Sequence, residues 1–271
     1  MAEEVKRVYA FGKDAQGNNV TEGNTHMKAQ LGGKGANLAE MANIGLPVPP
    51  GFTITCQTCM EYASAGNAWP EGALDTIQAY REDLEARMGK KIGDAADPLL
   101  VSVRSGAPMS MPGMMDTVLN LGLNDESING LIAQTENPRF AWDSYRRFIQ
   151  MFSNVVMGLD GDLFENAITA MKHARGVASD TDLSADDLKE LVAEFKQIFS
   201  ENVDAAAYPT LVVGGSVQFP QDPSVQLQLA IEAVFGSWNN PRAVLYRKQN
   251  KIADDLGTAV NVQSMVFGNK G

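Results

Sequence analysis

The chain has 271 residues, of which 22 are Lys or Arg and 33 are Asp or Glu, so its formal net charge at pH 7 is −11. This acidic balance disfavours nucleic acids and anionic membranes as general partners, although it is compatible with a local basic pocket. The sequence contains no apolar run of about eighteen residues, and its mixed-charge beginning is unlike a signal or transit peptide. We therefore expect a cytoplasmic protein with one interrupted domain or two small ones.

The first notable stretch is a glycine-rich turn that leads into a helix. After a predicted strand at 8–11, the sequence at 31–40 reads LGGKGANLAE, with two glycines before Lys34 and Gly35 after it. Glycines before a helix let an anion approach free backbone N–H groups. The stretch is not a Walker A loop, because Gly35 replaces the Ser or Thr that follows the lysine in that motif. On these residues alone, a surface lysine in a glycine-rich turn is the better interpretation.

Two cysteines follow a proline-rich turn at 45–51 and a predicted strand at 52–55. Cys56 and Cys59 form a CxxC pair, which cannot complete a four-ligand zinc site without a second pair or a clustered His. No thioredoxin-like context supports redox chemistry. We interpret the two residues as reduced, partly buried thiols. The next segment, 71–88, has helical apolar spacing and should end at the following glycine.

The least ordinary stretch, at 99–120, reads LLVSVRSGAPMSMPGMMDTVLN. Its apolar start predicts a buried strand that ends at Arg104, followed by a loop of small residues and a second strand from Thr117. A permanently charged fork beside backbone N–H groups suits phosphate or carboxylate oxygens. A structural ion pair for Arg104 explains the same pattern equally well. The four loop methionines, at 109, 111, 114 and 115, are typical of flexible gap-fillers.

Beyond residue 125 the sequence becomes helical. The Asn-Pro-Arg motif at 137–139 predicts a helix start, and the aromatic stripe after it predicts a packed core rather than a base-stacking platform. Ser184 and Asp187 predict another capped helix. A second Asn-Pro-Arg motif at 240–242 is interpreted as convergent helix capping. The last segment, 259–267, has the alternation of a β-strand.

Four stretches in this order resemble the nucleotide-binding domain of the pyruvate, phosphate dikinases: LGGKGANLAEM, SVRSGAPMSMPGMMDTVLNLGLND, NPRFAWDSYRRFIQMFSNVVM and GTAVNVQSMVFGNKG. The likeness covers most of the chain and weakens before Met27 and over 202–223. It implies an α/β (α+β) fold: an ATP-grasp-like first lobe with a helical insertion, and a truncated second lobe. The implied divisions are 1–124 for the first part of the lobe, 125–202 for the insertion, 203–257 for the second part of the lobe, and 258–271 for the first strand of the second lobe.

The resemblance also implies a reaction and a set of site residues. These enzymes are transferases (kinases) that convert ATP, pyruvate and phosphate into AMP, phosphoenolpyruvate and diphosphate. Lys34 and Arg104 would be catalytic and would steady the phosphate oxygens. Gly113 and Thr117 would contact the phosphates. Adenine would be met by Gln263, Met265 and Val266.

Other parts of the reaction are expected outside this chain. The family transfers phosphate to a histidine in a central domain and binds pyruvate in another, and neither His26 nor His173 has the Thr-Ser-His setting of that phosphocarrier. Magnesium belongs to the reaction, but its ligands are expected beyond residue 271, so no metal ligand is assigned here. We therefore expect a fragment, inactive alone, of a homodimeric parent. The alternatives are phosphoenolpyruvate synthase or another dikinase, and a non-catalytic nucleotide-binding module.

Two expectations concern geometry. Lys34 and Arg104 should converge on one site, although they lie far apart in sequence. The loop from Met109 to Met115 should be a mobile lid, because Gly106 and Gly113 bracket it and can absorb backbone changes.

Overall fold

The computed structural model describes residues 5–266. In this range two compact units form, one from 5–91, 101–117 and 231–266, the other from 92–100 and 118–230. The helices are α1 (Lys28–Asn43), α2 (Cys56–Ser64), α3 (Ala73–Met88), α4 (Ser127–Thr135), α5 (Pro138–Val155), α6 (Gly161–Arg175), α7 (Ala185–Asn202), α8 (Pro223–Gly236) and α9 (Pro241–Asn250). The strands are β1 (Val8–Phe11), β2 (Gly51–Ile54), β3 (Lys91–Ile92), β4 (Pro98–Leu99), β5 (Val101–Gly106), β6 (Thr117–Leu121), β7 (Val212–Val213), β8 (Ser216–Val217) and β9 (Ala259–Ser264). Within residues 5–266, no helix has both the length and the apolar character needed to cross a membrane.

The sheet of the first unit is antiparallel and has two different faces. Its strands β1, β2, β9 and β5 are hydrogen-bonded in that order, and Asn261 of β9 lies opposite both Thr53 of β2 and Arg104 of β5. Because cross-strand partners share a face, these three residues form a polar row on one side. The alternating positions, such as Val103 and Val262, are fully buried and form the apolar side.

Helices of the first unit pack on both of these faces. The ring of Tyr80 on α3 lies 6.2 Å from that of Phe52, which belongs to the apolar side. On the polar side, α1 approaches the sheet at Gly35, where a Cβ atom would lie 2.8 Å from Thr53 Cγ2 and 2.9 Å from Asn261 Oδ1. The glycine therefore lets the helix lie directly against the polar row.

The second unit is built around an aromatic core. The ring of Phe219 lies 5.3–5.7 Å from those of Phe148, Phe152 and Phe199, in edge-to-face contacts that suit the charge distribution of aromatic rings. All four side chains are buried. The prediction that the aromatic stripe of α5 forms a packed core is thereby confirmed.

The local predictions of helix ends are confirmed. Asn137 caps α5 by accepting the Phe140 N–H, and Ser184 and Asp187 form a reciprocal capping box at α7. Helix α3 ends with Gly89 in the left-handed conformation. These features depend on residues three or four positions apart, so the sequence contains all the information they require.

The fold class is confirmed at the level of a mixed α+β domain with antiparallel sheets. The proposed boundaries at 124, 202 and 257 stay predictions. Helices α4 to α7 lie in the second unit, which also includes 92–100 and the segment up to 230. The last strand ends at Ser264, so the predicted strand at 259–267 is shorter in the described residues, and Phe267 lies outside them.

Candidate anion-binding site

The glycine-rich stretch breaks α1 at the point where it meets β5. Gly32 has φ 65° and ψ 171°, which interrupts the helix, and a Cβ atom there would overlap the carbonyl oxygen of Gly106. The helix resumes at Gly33, whose N–H donates to Ala107 O at 2.8 Å. Glycine is therefore required at residue 32 both by the backbone angle and by the close approach. The result is a helix start joined to the end of the strand that presents Arg104.

Lys34 and Arg104 are brought together at this junction. Lys34 is exposed, yet desolvation by neighbouring protein atoms and, second, the charge of Arg104 lower its pKa. Arg104 is partly buried on the polar face of the sheet. Among residues 5–266, neither side chain forms a hydrogen bond or an ion pair. Two cations that repel each other without a counter-charge form a favourable place for an anion.

A cavity of about 650 Å³ opens beside Lys34 and lies within the first unit. Its volume is in the range of small-molecule sites. Its walls come from α1, from the end of β5, from the loop after it and from the first residue of β6. The lining residues are Lys28, Gly33, Lys34, Asn37, Ser105, Gly106, Ala107, Pro108, Met109, Ser110, Met111, Pro112, Gly113, Met115 and Thr117.

The predicted site residues fall into two groups. Lys34, Gly113 and Thr117 line the cavity. Arg104 is not among the described lining residues, but its charge is near enough to lower the pKa of Lys34. Gln263 lies on the same sheet face as Arg104. Its side-chain Nε2 donates to Pro49 O at 3.1 Å, and its backbone carbonyl oxygen accepts from the hydroxyl of Ser102 on β5.

Met265 and Val266 follow the end of β9, and Val266 is 74% exposed. In the described part of the chain these two residues and Gln263 are absent from the cavity wall. Their contact with adenine, like the roles of the first group, stays a prediction.

Sequence reasoning missed four polar residues of the cavity wall: Lys28, Asn37, Ser105 and Ser110. Lys28 begins α1, and the break at Gly32 places it beside the same cavity as Lys34. A regular helical periodicity does not describe a helix that is interrupted between these two lysines. Asn37 follows Lys34 by three positions and could have been found as its neighbour on the helix surface.

Part of the loop at 107–116 packs against other residues of the first unit. Met111 is buried with Trp238 and Ala243, and Met114 and Met115 pack against the same cluster. Met109, in contrast, is 54% exposed. That this loop is a mobile lid stays a prediction. The contacts of its methionines restrict the expected mobility to the first half of the loop.

The two cysteines are free and buried at the start of α2. Burial raises the pKa of Cys56 to about 12 and that of Cys59 to about 11. At neutral pH both are therefore protonated thiols, which are poor nucleophiles and poor metal ligands. Their prediction as reduced thiols is confirmed, and they are more completely buried than expected.

Magnesium does not fit the residues of this cavity. The wall offers hydroxyl and amide oxygens but no carboxylate, whereas Mg²⁺ in proteins is held by carboxylates together with phosphates and waters. Within residues 5–266, no group of three or more His, Cys, Asp or Glu side chains is arranged to hold a metal ion.

A glycine-broken helix start and two adjacent unpaired cations beside a cavity define an α+β domain with a candidate anion-binding site. The sequence matches the family described as "Pyruvate phosphate dikinase, AMP/ATP-binding domain" over residues 28–79 and 67–271, and the chain belongs to this family.

Curated relatives show the same likeness. The chain is 55% identical to pyruvate, phosphate dikinase of Clostridium symbiosum over 92% of its own length and 27% of the relative. It is 55% identical to pyruvate, phosphate dikinase 1, chloroplastic, of Oryza sativa subsp. japonica over 98% of the chain and 26% of the relative. For the enzyme of Giardia intestinalis the identity is 52% over 98% and 28%. The chain thus spans about a quarter of the length of these relatives.

Proposed function

We propose that this domain binds ATP with its phosphates in the cavity beside Lys34 and Arg104. The reaction it serves is that of pyruvate, phosphate dikinase, in which ATP, pyruvate and phosphate give AMP, phosphoenolpyruvate and diphosphate. The observation that carries the proposal is the unpaired Lys34 on the cavity wall, with the unpaired Arg104 near enough for its charge to lower the pKa of Lys34. A polyphosphate would neutralise both charges, and membership of an AMP/ATP-binding family supports a nucleotide as its source.

The residues of the site have separate tasks in this proposal. Lys34 and Arg104 are countercharges for phosphate oxygens, and because they are in place before the reaction they stabilise charge that develops as the phosphoryl group leaves. Gly113 supplies a backbone N–H from an open stretch of the loop, and Thr117 supplies a hydroxyl. Adenine would lie outside the cavity, near the end of β9.

The remaining steps belong to a parent protein. We propose that the phosphoryl acceptor is a histidine of a separate domain, that pyruvate binds in a further domain, and that the first lobe is of the ATP-grasp type. A homodimeric parent and a cytoplasmic location are also proposals, since the relatives include proteins named as chloroplastic. The names of the relatives favour the phosphate-using dikinase over phosphoenolpyruvate synthase.

The test is a calorimetric titration of the chain with ATP. Arg104→Ala should weaken binding by about tenfold or more, because it removes one of the two phosphate countercharges. The matched control is Arg147→Ala, which removes an arginine that is 64% exposed on α5 in the second unit. Equal affinities of the two variants, or no binding by the unmodified chain, would contradict the proposal.

A further inference from the structure

The second Asn-Pro-Arg motif, at the start of α9, does more than begin a helix. Asn240 is the N-cap of α9, and its Oδ1 accepts the Ala243 N–H at 2.7 Å. Its Nδ2 donates at 2.9 Å to the carbonyl oxygen of Met114, in the loop that lines the cavity. The amide oxygen of Asn240 therefore caps the helix, and its amide nitrogen binds the loop.

The first Asn-Pro-Arg motif shows that capping alone does not require this amide. Asn137 caps α5 in the same way, by accepting the Phe140 N–H at 3.0 Å. Among the described hydrogen bonds, the Nδ2 of Asn137 has no partner. Asp and Ser cap helices about as well as Asn, but neither offers an amide donor at a second position. The bond to Met114 is the property that distinguishes Asn240.

The loop packs against a buried cluster at this point. The guanidinium carbon of Arg247 lies 4.1 Å from the centre of the Trp238 ring, and the Trp238 Nε1 donates to a backbone carbonyl at 2.9 Å. Met111 is buried in the same cluster as this tryptophan, and Met114 and Met115 pack against that cluster. The residue after the proline of the motif also reaches the loop, since the carboxylate of Asp116 lies 3.8 Å from Arg242.

We propose that Asn240 is a positioning residue for the cavity loop. By holding the Met114 carbonyl, it keeps the second half of the loop against Trp238 and thereby sets the place of Gly113 and Thr117 on the cavity wall. The first half of the loop has no such restraint at Met109, which projects into solvent. The inference rests on the proposed function, because the consequence of the positioning is the affinity for ATP phosphates.

The experiment compares Asn240→Asp with Asn137→Asp, and Asn240→Ser with Asn137→Ser. All four keep a capping oxygen, and each pair has the same change of charge, but only the variants at 240 lose the amide donor to the loop. Three quantities are measured on the whole chain: the thermal midpoint, the ¹³C-methyl methionine NMR spectrum without nucleotide, and the affinity for ATP by calorimetry. Single Met→Leu variants assign the signals.

Both variants at 240 should melt close to their partners at 137. Their Met111, Met114 and Met115 methyl signals should move towards solvent-exposed positions, since ring-current shifts from Trp238 require the docked loop. Their affinity for ATP should fall by about fivefold to tenfold, while the variants at 137 should bind like the unmodified chain.

Two results would overturn the positioning role. One is that the methionine methyl signals of the variants at 240 match those of the variants at 137. The other is that these signals move while the affinity for ATP stays unchanged. If the signals move but the unmodified chain does not bind ATP, the proposed function is wrong and the loop contact of Asn240 stands. The nucleotide-free spectrum thus separates the two failures.

Discussion

Two arginines, one from each unit, differ in how their charges are used. In the second unit, Arg146 is almost fully buried and forms ion pairs with Asp143 and Asp180. In the first unit, Arg104 is partly buried beside Lys34 and forms no ion pair with a described residue. A cation that a fold keeps for its own stability is matched internally. In this pair the missing counter-charge, rather than the arginine itself, is what makes Arg104 a candidate for binding a ligand.

The largest expected effect is on the free energy of unfolding and comes from changing Gly32, where α1 meets β5 beside the unpaired cations. Gly32→Ala should lower the free energy of unfolding by about 3 kcal/mol or more, because the new Cβ meets Gly106 O and the backbone angle is unfavourable. Gly45→Ala is the control, with φ +88° and open space around its Cβ, and should cost about 1 kcal/mol. Urea unfolding measures both. Similar losses in the two variants would show that the contact with Gly106 yields easily.

Arg146 and Arg104 should differ in how much each contributes to the stability of the fold. Arg146→Ala should lower the free energy of unfolding by about 2 kcal/mol, a moderate value because Asp180 is partly exposed. Arg104→Ala should change it by less than about 0.5 kcal/mol, or raise it, since repulsion with Lys34 is relieved. Urea unfolding without nucleotide tests this. A loss at Arg104 as large as that at Arg146 would mean that Arg104 has a structural role.

The smallest effect concerns the pH dependence of ATP binding. Desolvation and the charge of Arg104 lower the pKa of Lys34, so the free protein loses this proton at a lower pH than an ordinary lysine does. Affinity for ATP should therefore fall as pH rises through that lowered pKa, and binding there should take up a proton.

Calorimetry at several pH values, in buffers of different ionisation enthalpy, measures both effects on Lys34. In Lys34→Arg the affinity should stay flat over the same range, because arginine remains charged. A profile shared by the two proteins would assign the titration to another group.

The sequence was sufficient for features that are local. The strand at Val8–Phe11 was predicted with the observed bounds, and the caps at Asn137 and Ser184 follow from spacings of three residues. The two main cations, Lys34 and Arg104, were selected through motifs and through the family resemblance.

Other features depend on contacts between distant segments, which no local pattern encodes. The break of α1 at Gly32 exists because the helix meets Gly106 there, and it determines that Lys28 reaches the cavity. The second hydrogen bond of Asn240 links positions 126 apart in sequence, whereas the capping bond that it resembles is local. The unpaired state of Arg104 is likewise a property of the folded surroundings, since charged residues are numerous throughout the chain.

The contact between Gly32 and Gly106 has a consequence for the order of folding. It closes a long stretch of chain, and such closure carries an entropic cost before any contact repays it. Until α1 rests on β5, Lys34 and Arg104 are independent side chains with no common ligand. A nucleotide that binds at the proposed site would therefore have little to bind in the unfolded ensemble, and it would stabilise only chains in which this distant pair of glycines has already met.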